Sequence, residues 1–129
     1  MRDEILLLVP RDKFDLARAE ATVAAGFPAV APILPQLLEW MQDCNWPVAR
    51  VLAPFLATIG SPLLPHIRDV LATDDDVWKY WVLTYLVEGS PAVAEALRDE
   101  LRRYALSPTP NEVAEGLSEK ARSILKASN

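Results

Sequence analysis

Apolar positions along this chain recur at spacings of three and four, and strict apolar–polar alternation over four or more positions is hard to find. Spacing of that kind gathers side chains on one face of a helix and not on one face of a strand. It predicts helices at about 13–25, 47–59, 62–72, 75–87, 91–106 and 110–126, with a broken helix at 28–42 and a short turn before the first. The punctuation agrees. Pro62, Pro91 and Pro110 each follow a Ser or Thr, the arrangement of a hydroxyl N-cap with proline at the first helical position. Gly60 and Gly89 precede two of these junctions, where a left-handed C-cap is expected, and Gly26 ends the first helix. Pro54 falls inside 47–59 and predicts a kink there. The last helix opens with Thr109-Pro110-Asn111-Glu112, a capping box. Its apolar stripe is Val113, Leu117, Ala121, Ile124 and Leu125.

The pattern also repeats. Ala31-Pro32-Ile33-Leu34-Pro35-Gln36-Leu37-Leu38-Glu39-Trp40-Met41 matches Ser61-Pro62-Leu63-Leu64-Pro65-His66-Ile67-Arg68-Asp69-Val70-Leu71 at a constant offset of 30. A weaker third copy has Val93, Leu97, Arg98, Asp99 and Leu101 at the same offset. The first two copies are followed by polar turns, Asp43-Cys44-Asn45 and Asp74-Asp75-Asp76, and then by another apolar helix. Two helices per repeat of roughly 30–45 residues mean stacked hairpins that bury their apolar faces only against one another. The aligned sets Leu34/Leu64, Leu37/Ile67/Leu97 and Met41/Leu71/Leu101 are the expected core.

Pro62-Leu63-Leu64-Pro65, then Leu71, the acidic turn at 74–76 and Val77-Trp78-Lys79 resemble a HEAT repeat. The copy with Asp43, Val48 and Arg50 is similar, with an additional Pro47. Through Asn45-Trp46-Pro47-Val48 and Trp78-Lys79-Tyr80-Trp81 the chain also resembles an uncharacterised family of short bacterial proteins, domain of unknown function 5071, over about residues 10–105. The resemblance implies a HEAT-like fold and no established activity. The expectation is an all-α, short right-handed stack of about three HEAT/ARM-like helical hairpins. It forms a single domain over 1–129, with a repeat core at about 13–106 and a C-terminal capping helix at about 110–126.

Composition narrows the function. With 13 basic against 18 acidic residues and a net charge of -5, the chain lacks the basic face that nucleic-acid binding requires. The lone cysteine, Cys44, excludes an intrachain disulfide and a Cys-rich zinc site, and the adjacent Asp43 raises its thiol pKa. No apolar run reaches the ~18 residues of a membrane span. The stretch at 5–9 is too short for a secretory signal, and Asp3 and Glu4 oppose one. A cytoplasmic location, where a lone thiol stays reduced, is expected.

Glu39, Asp69 and Asp99 fall at equivalent repeat positions and form an expected acidic row, flanked by Gln36/His66 and Arg68/Arg98. A row of this kind suits a basic or amphipathic peptide. The turns carrying Asp43, Asn45 and Trp46 and those carrying Asp74, Asp75, Asp76 and Trp78 form a second expected cluster, an edge bearing tryptophans, the commonest interface anchors. Trp78, Tyr80, Trp81 and Tyr85 make 75–87 apolar nearly all round, the signature of a central buried helix, with Lys79 at the surface or against the acids. The leading expectation is a non-catalytic adaptor or inhibitor-like module that binds a protein or peptide, basic in character, with Glu39, Asp69, Asp99, His66, Trp46, Trp78 and Lys79 as contacts. No catalytic residue and no cofactor is assigned. One alternative is a metal- or small-molecule-binding enzyme using Asp74, Asp75, Asp76 and His66, although the calcium-loop spacing is absent. The other is a structural homodimer.

Overall fold

The computed structural model describes residues 2–127, and every regular element among them is helical. The chain forms two compact units, Met1–Ile59 and Gly60–Asn129. The first holds α1 (Arg2–Leu6), α2 (Leu16–Ala25), α3 (Leu34–Glu39) and α4 (Pro47–Ile59). The second holds α5 (Leu64–Leu71), α6 (Asp76–Val82), α7 (Pro91–Ala96), α8 (Arg98–Leu106), α9 (Pro110–Ala114) and α10 (Leu117–Ala127). Among the described residues, no single helix is long and apolar enough to cross a membrane.

The repeat in the sequence reappears as a repeat in the backbone. Residues Ala31–Ile33 form a 3₁₀ turn that runs into α3, and Ser61–Leu63 form one that runs into α5. The paired prolines are the cause. Pro35 and Pro65 have no N–H, so neither can donate to the carbonyl four residues back. That carbonyl, on Ala31 or Ser61, instead accepts from the preceding amide, Leu34 or Leu64, closing a tighter turn. The third copy has Glu95 in place of the second proline, and Pro91–Ala96 is α-helical from its first residue.

Within the first unit, α2 packs on α4. Helix α4 buries Val48, Ala49, Leu52, Ala53 and Leu56 along one stripe. Pro54 is exposed, so the amide it lacks falls on the solvent side, and the helix runs unbroken through it over Pro47–Ile59. In the second unit α10 packs on α8, with Leu101, Tyr104, Leu117, Ala121 and Ile124 buried.

Several expectations change. Gly60 does take a positive φ of 74°, but Gly89 does not. The helix before Gly89 ends instead in a π turn, Leu83–Val87. There Glu88 N–H donates to Leu83 O at 2.9 Å, and the Thr84 hydroxyl donates to Tyr80 O at 2.8 Å, in the manner of a helical threonine. The hydroxyl caps expected at Ser61 and Ser90 are not used, since no side-chain cap bond forms at either start. Thr109 and Glu112 do form the full capping box.

The final helix is two pieces, broken at Gly116, whose φ is +81°. The break resets the helical phase: Leu117, Ala121 and Ile124 are buried while Val113 is 57% exposed. The segment at 75–87 is not apolar-buried all round either. Val82, Leu83, Leu86 and Val87 face inward, Trp78, Tyr80 and Trp81 are half-buried, and Tyr85 is exposed.

Of the aligned core sets, Leu34, Leu37, Ile67, Leu97, Met41 and Leu101 are buried, whereas Leu64 and Leu71 are only half-buried. Leu71 lines an open groove. The deep positions of the second copy are Leu63 and Ile67. Ile67→Ala is therefore expected to cost about 2–5 kcal/mol in urea unfolding, and Leu64→Ala clearly less. Equal costs would contradict the register.

Candidate functional site

In the first unit, Gln36, Glu39 and Trp40 sit three and four residues apart on α3 and its end, the spacing that places side chains together on one helix face. The helix tightens into a 3₁₀ turn at Trp40–Gln42, and the chain then reverses. Asn45 N–H donates to Asp43 Oδ1 at 2.9 Å and Trp46 N–H to Asp43 O at 3.1 Å, an Asx turn. This turn returns Trp46 to Trp40. The two indoles meet edge to face, with ring centroids 5.7 Å apart and planes at 72°, a preferred aromatic geometry.

Together with Val9, Pro10 and Gln42, these residues line a cavity of about 330 Å³. The Val9–Pro10 wall is tied down from α2. Arg18 donates to Val9 O at 3.2 Å, and the buried Thr22 hydroxyl donates to Leu8 O at 2.7 Å. Glu39 is exposed, both tryptophans are half-buried, and Gln36 Oε1 is buried with no hydrogen-bond partner among the described residues. An unpaired buried acceptor costs free energy that a donor-bearing ligand would recover. Cys44, inside the same turn, is buried with Sγ 3.8 Å from Met41 O. Burial, and then the Asp43 charge, push its thiol up to about 12.

The second unit has a larger groove, about 480 Å³, lined by Leu71, Ala72, Asp99, Tyr104 and the guanidiniums of Arg68 and Arg103 with Glu100. Its cations are already engaged. Arg68 pairs with Glu100 at 3.2 Å and donates to Ala96 O at 2.9 Å. Arg103 grips Glu112 with two bonds, one of 2.7 Å, and lies over the Tyr104 ring at 4.6 Å. The larger cavity therefore offers an incoming ligand little uncommitted positive charge.

The profile of one family, domain of unknown function DUF5071, matches residues 8–125. The chain belongs to that family. No curated protein matches it. The matched span contains both cavities and every candidate contact of this family member, whose positions are as follows.

Glu39, Asp69 and Asp99 are each exposed, His66 is half-buried, and Trp46 lies in the first-unit cavity. Asp43, Asn45 and Trp46 belong to the first unit, and Asp74, Asp75, Asp76 and Trp78 to the second. The three aspartates stand in different surroundings. Asp75 is the N-cap of α6 and accepts from Trp78 N–H at 3.0 Å. Asp76 is buried, 3.2 Å from Lys79 Nζ and accepting from Asn111 at 2.7 Å. Only Asp74 and Asp75 are exposed. Among the described residues no three His, Cys, Asp or Glu side chains are gathered to hold a metal. Lys79, expected at the surface or against the acids and as a partner contact, is 6% exposed, with its ammonium against Asp76. Trp40 and Gln36 complete the cavity. The sequence does contain their signal, Gln36 directly after Pro35 and Trp40 four residues further on, the spacing of one helix face, but only folding the Asx turn brings Trp46 to them.

Burial alone would raise the Glu112 carboxyl, but the Arg103 hydrogen bonds, the Thr109 amide and the Arg103 charge outweigh it and hold the group below its ordinary value of 4.5. A depressed carboxylate contributes stability above its unfolded value that is lost as pH falls through the folded one. Glu112→Gln is thus expected to flatten the fall in stability below about pH 4.5 in an acid titration followed by circular dichroism. Cys44 is expected to react with a disulfide reagent at neutral pH only after denaturation. Rapid labelling of the native protein would contradict the burial of the turn.

Proposed function

We propose that this chain is a HEAT-like stack of helical hairpins acting as a non-catalytic module that binds a basic segment of a partner protein. The HEAT-like reading is supported by the two copies at 31–39 and 61–71, which fold through the same 3₁₀-to-α transition at the same offset. The observation that carries the binding reading is the paired indoles of Trp40 and Trp46, left half-buried in an open cavity beside the exposed Glu39 carboxylate. Half-buried aromatics in a concave site are the usual anchors of an interface. Asp69 and Asp99 supply further exposed negative charge in the second unit, and the net charge of -5 favours association with a cationic partner. The cytoplasm, where the single thiol stays reduced, is the matching compartment.

The test is affinity capture from native lysate with mass spectrometry, comparing the wild type with the Glu39→Lys/Asp69→Lys/Asp99→Lys triple. The triple is expected to keep its stability within about 1 kcal/mol, as exposed substitutions do, and to lose a basic partner that the wild type retains. If wild type and triple hold the same proteins equally, or neither holds any specifically, the reading fails.

A further inference from the structure

We infer that the Trp40–Trp46 cavity is an arginine-side-chain pocket: it receives one guanidinium from the basic partner segment. The inference rests on the basic-segment reading and goes one step further, to the group that is recognised. Three features of the cavity converge on it.

The first is aromatic. Two half-buried indoles meeting at 72° both line the same space. A tryptophan face attracts cations more strongly than the ring of tyrosine or phenylalanine does. An apolar occupant would gain from the rings but would leave the Glu39 carboxylate at the rim without a counter-charge.

The second is the acceptor set. Glu39 offers a carboxylate, and Gln36, which lines the cavity, holds a buried Oε1 without a partner that a turn of its amide would bring to an incoming donor. The two lie one helical turn apart on α3, so a ligand that satisfies both must carry several donors in a fixed fan. Guanidinium has five N–H donors in one plane, stacks on aromatic faces and is weakly hydrated. A lysine ammonium is a compact, strongly hydrated point charge and stacks poorly. A quaternary ammonium suits an aromatic site but has no N–H, so it would leave Gln36 Oε1 unsatisfied.

The third is size and stiffness. At about 330 Å³, the cavity is at the small end of ligand sites, which run from about 300 to 1,000 Å³. It suits one long side chain and not a drug-sized metabolite. Its walls are held by the Arg18 and Thr22 bonds to the carbonyls of Val9 and Leu8 and by the Asp43 turn. Little ordering is left for binding to impose.

The experiment uses the full chain and four capped tripeptides, Gly-Xaa-Gly, in which Xaa is arginine, citrulline, lysine or trimethyllysine. Binding is read from the two indole N–H resonances of Trp40 and Trp46 in ¹⁵N-labelled protein. The arginine peptide is expected to shift both indoles saturably. Citrulline, which has the same shape without the charge, should bind about tenfold more weakly, and lysine and trimethyllysine several-fold more weakly. Glu39→Gln should weaken the arginine peptide about tenfold at an unchanged melting temperature. Gln36→Leu should weaken it while melting at or above the wild-type temperature, because a buried orphan acceptor has been removed. Both substitutions leave the tryptophans in place, so a folded protein is measured.

Equal binding of citrulline, a preference for lysine or trimethyllysine, or an arginine peptide that moves neither indole would each overturn the arginine assignment. If the arginine peptide fails while the lysate partner is still captured by the wild type and lost by the triple, the basic-segment reading survives without this pocket. If both fail, both readings fall.

Discussion

Two prolines three residues apart constrain everything that follows in the first copy of the repeat. Without an N–H on Pro35, Ala31 O must bond one residue early, and the helix proper begins at Leu34. That start fixes the rotation of α3. Leu34, Leu37 and Leu38 point into the core, and Gln36, Glu39 and Trp40 fall together at the cavity. The same omission at Pro65 gives α5 the same start. Where Glu95 replaces the second proline, the turn is lost and an α-helix begins directly. A missing hydrogen-bond donor thus decides both which leucines are core and which polar residues share a face.

The second unit is organised by buried polar groups as much as by apolar packing. Asp76 is satisfied by Lys79 on its own helix and by Asn111 from α9. One residue on, Glu112 closes the capping box with Thr109 and also takes both Arg103 bonds. α6, α8 and α9 are therefore joined through two carboxylates that are buried and fully partnered, the condition under which such groups are tolerated. This use of charge also explains why the larger groove is the weaker binding candidate. Its arginines are structural partners of glutamates, whereas the smaller cavity keeps an exposed carboxylate and an acceptor with no partner.

The exposed acids and the tryptophans represent different kinds of inference. Glu39, Asp69 and Asp99 could be placed on the surface from repeat position alone, since the phase they share carries no apolar residue in any copy and charged side chains stay in water unless paired. The tryptophans could not. Trp46 lies beside Trp40 only because Asp43 accepts two successive amides and reverses the chain, and Trp78 shares a composition with Trp46 but belongs to the other unit.

Local chemistry was legible in the residues themselves. The helices, the offset between the copies, the capping box at Thr109 and Glu112, the positive φ at Gly60 and the upward push of Asp43 on the Cys44 thiol all follow from a spacing or a neighbour within a few positions. What the tertiary structure decided was everything that depends on a distant partner. It made Lys79 a buried ion and Val113 an exposed valine, kept Leu64 and Leu71 half-open where their counterparts are closed, and gathered the loop at 8–10, one face of α3 and one turn into a single cavity. Helical periodicity specifies which residues share a face. Which faces meet depends on how the elements pack, and the sequence encodes that only through the summed complementarity of their surfaces.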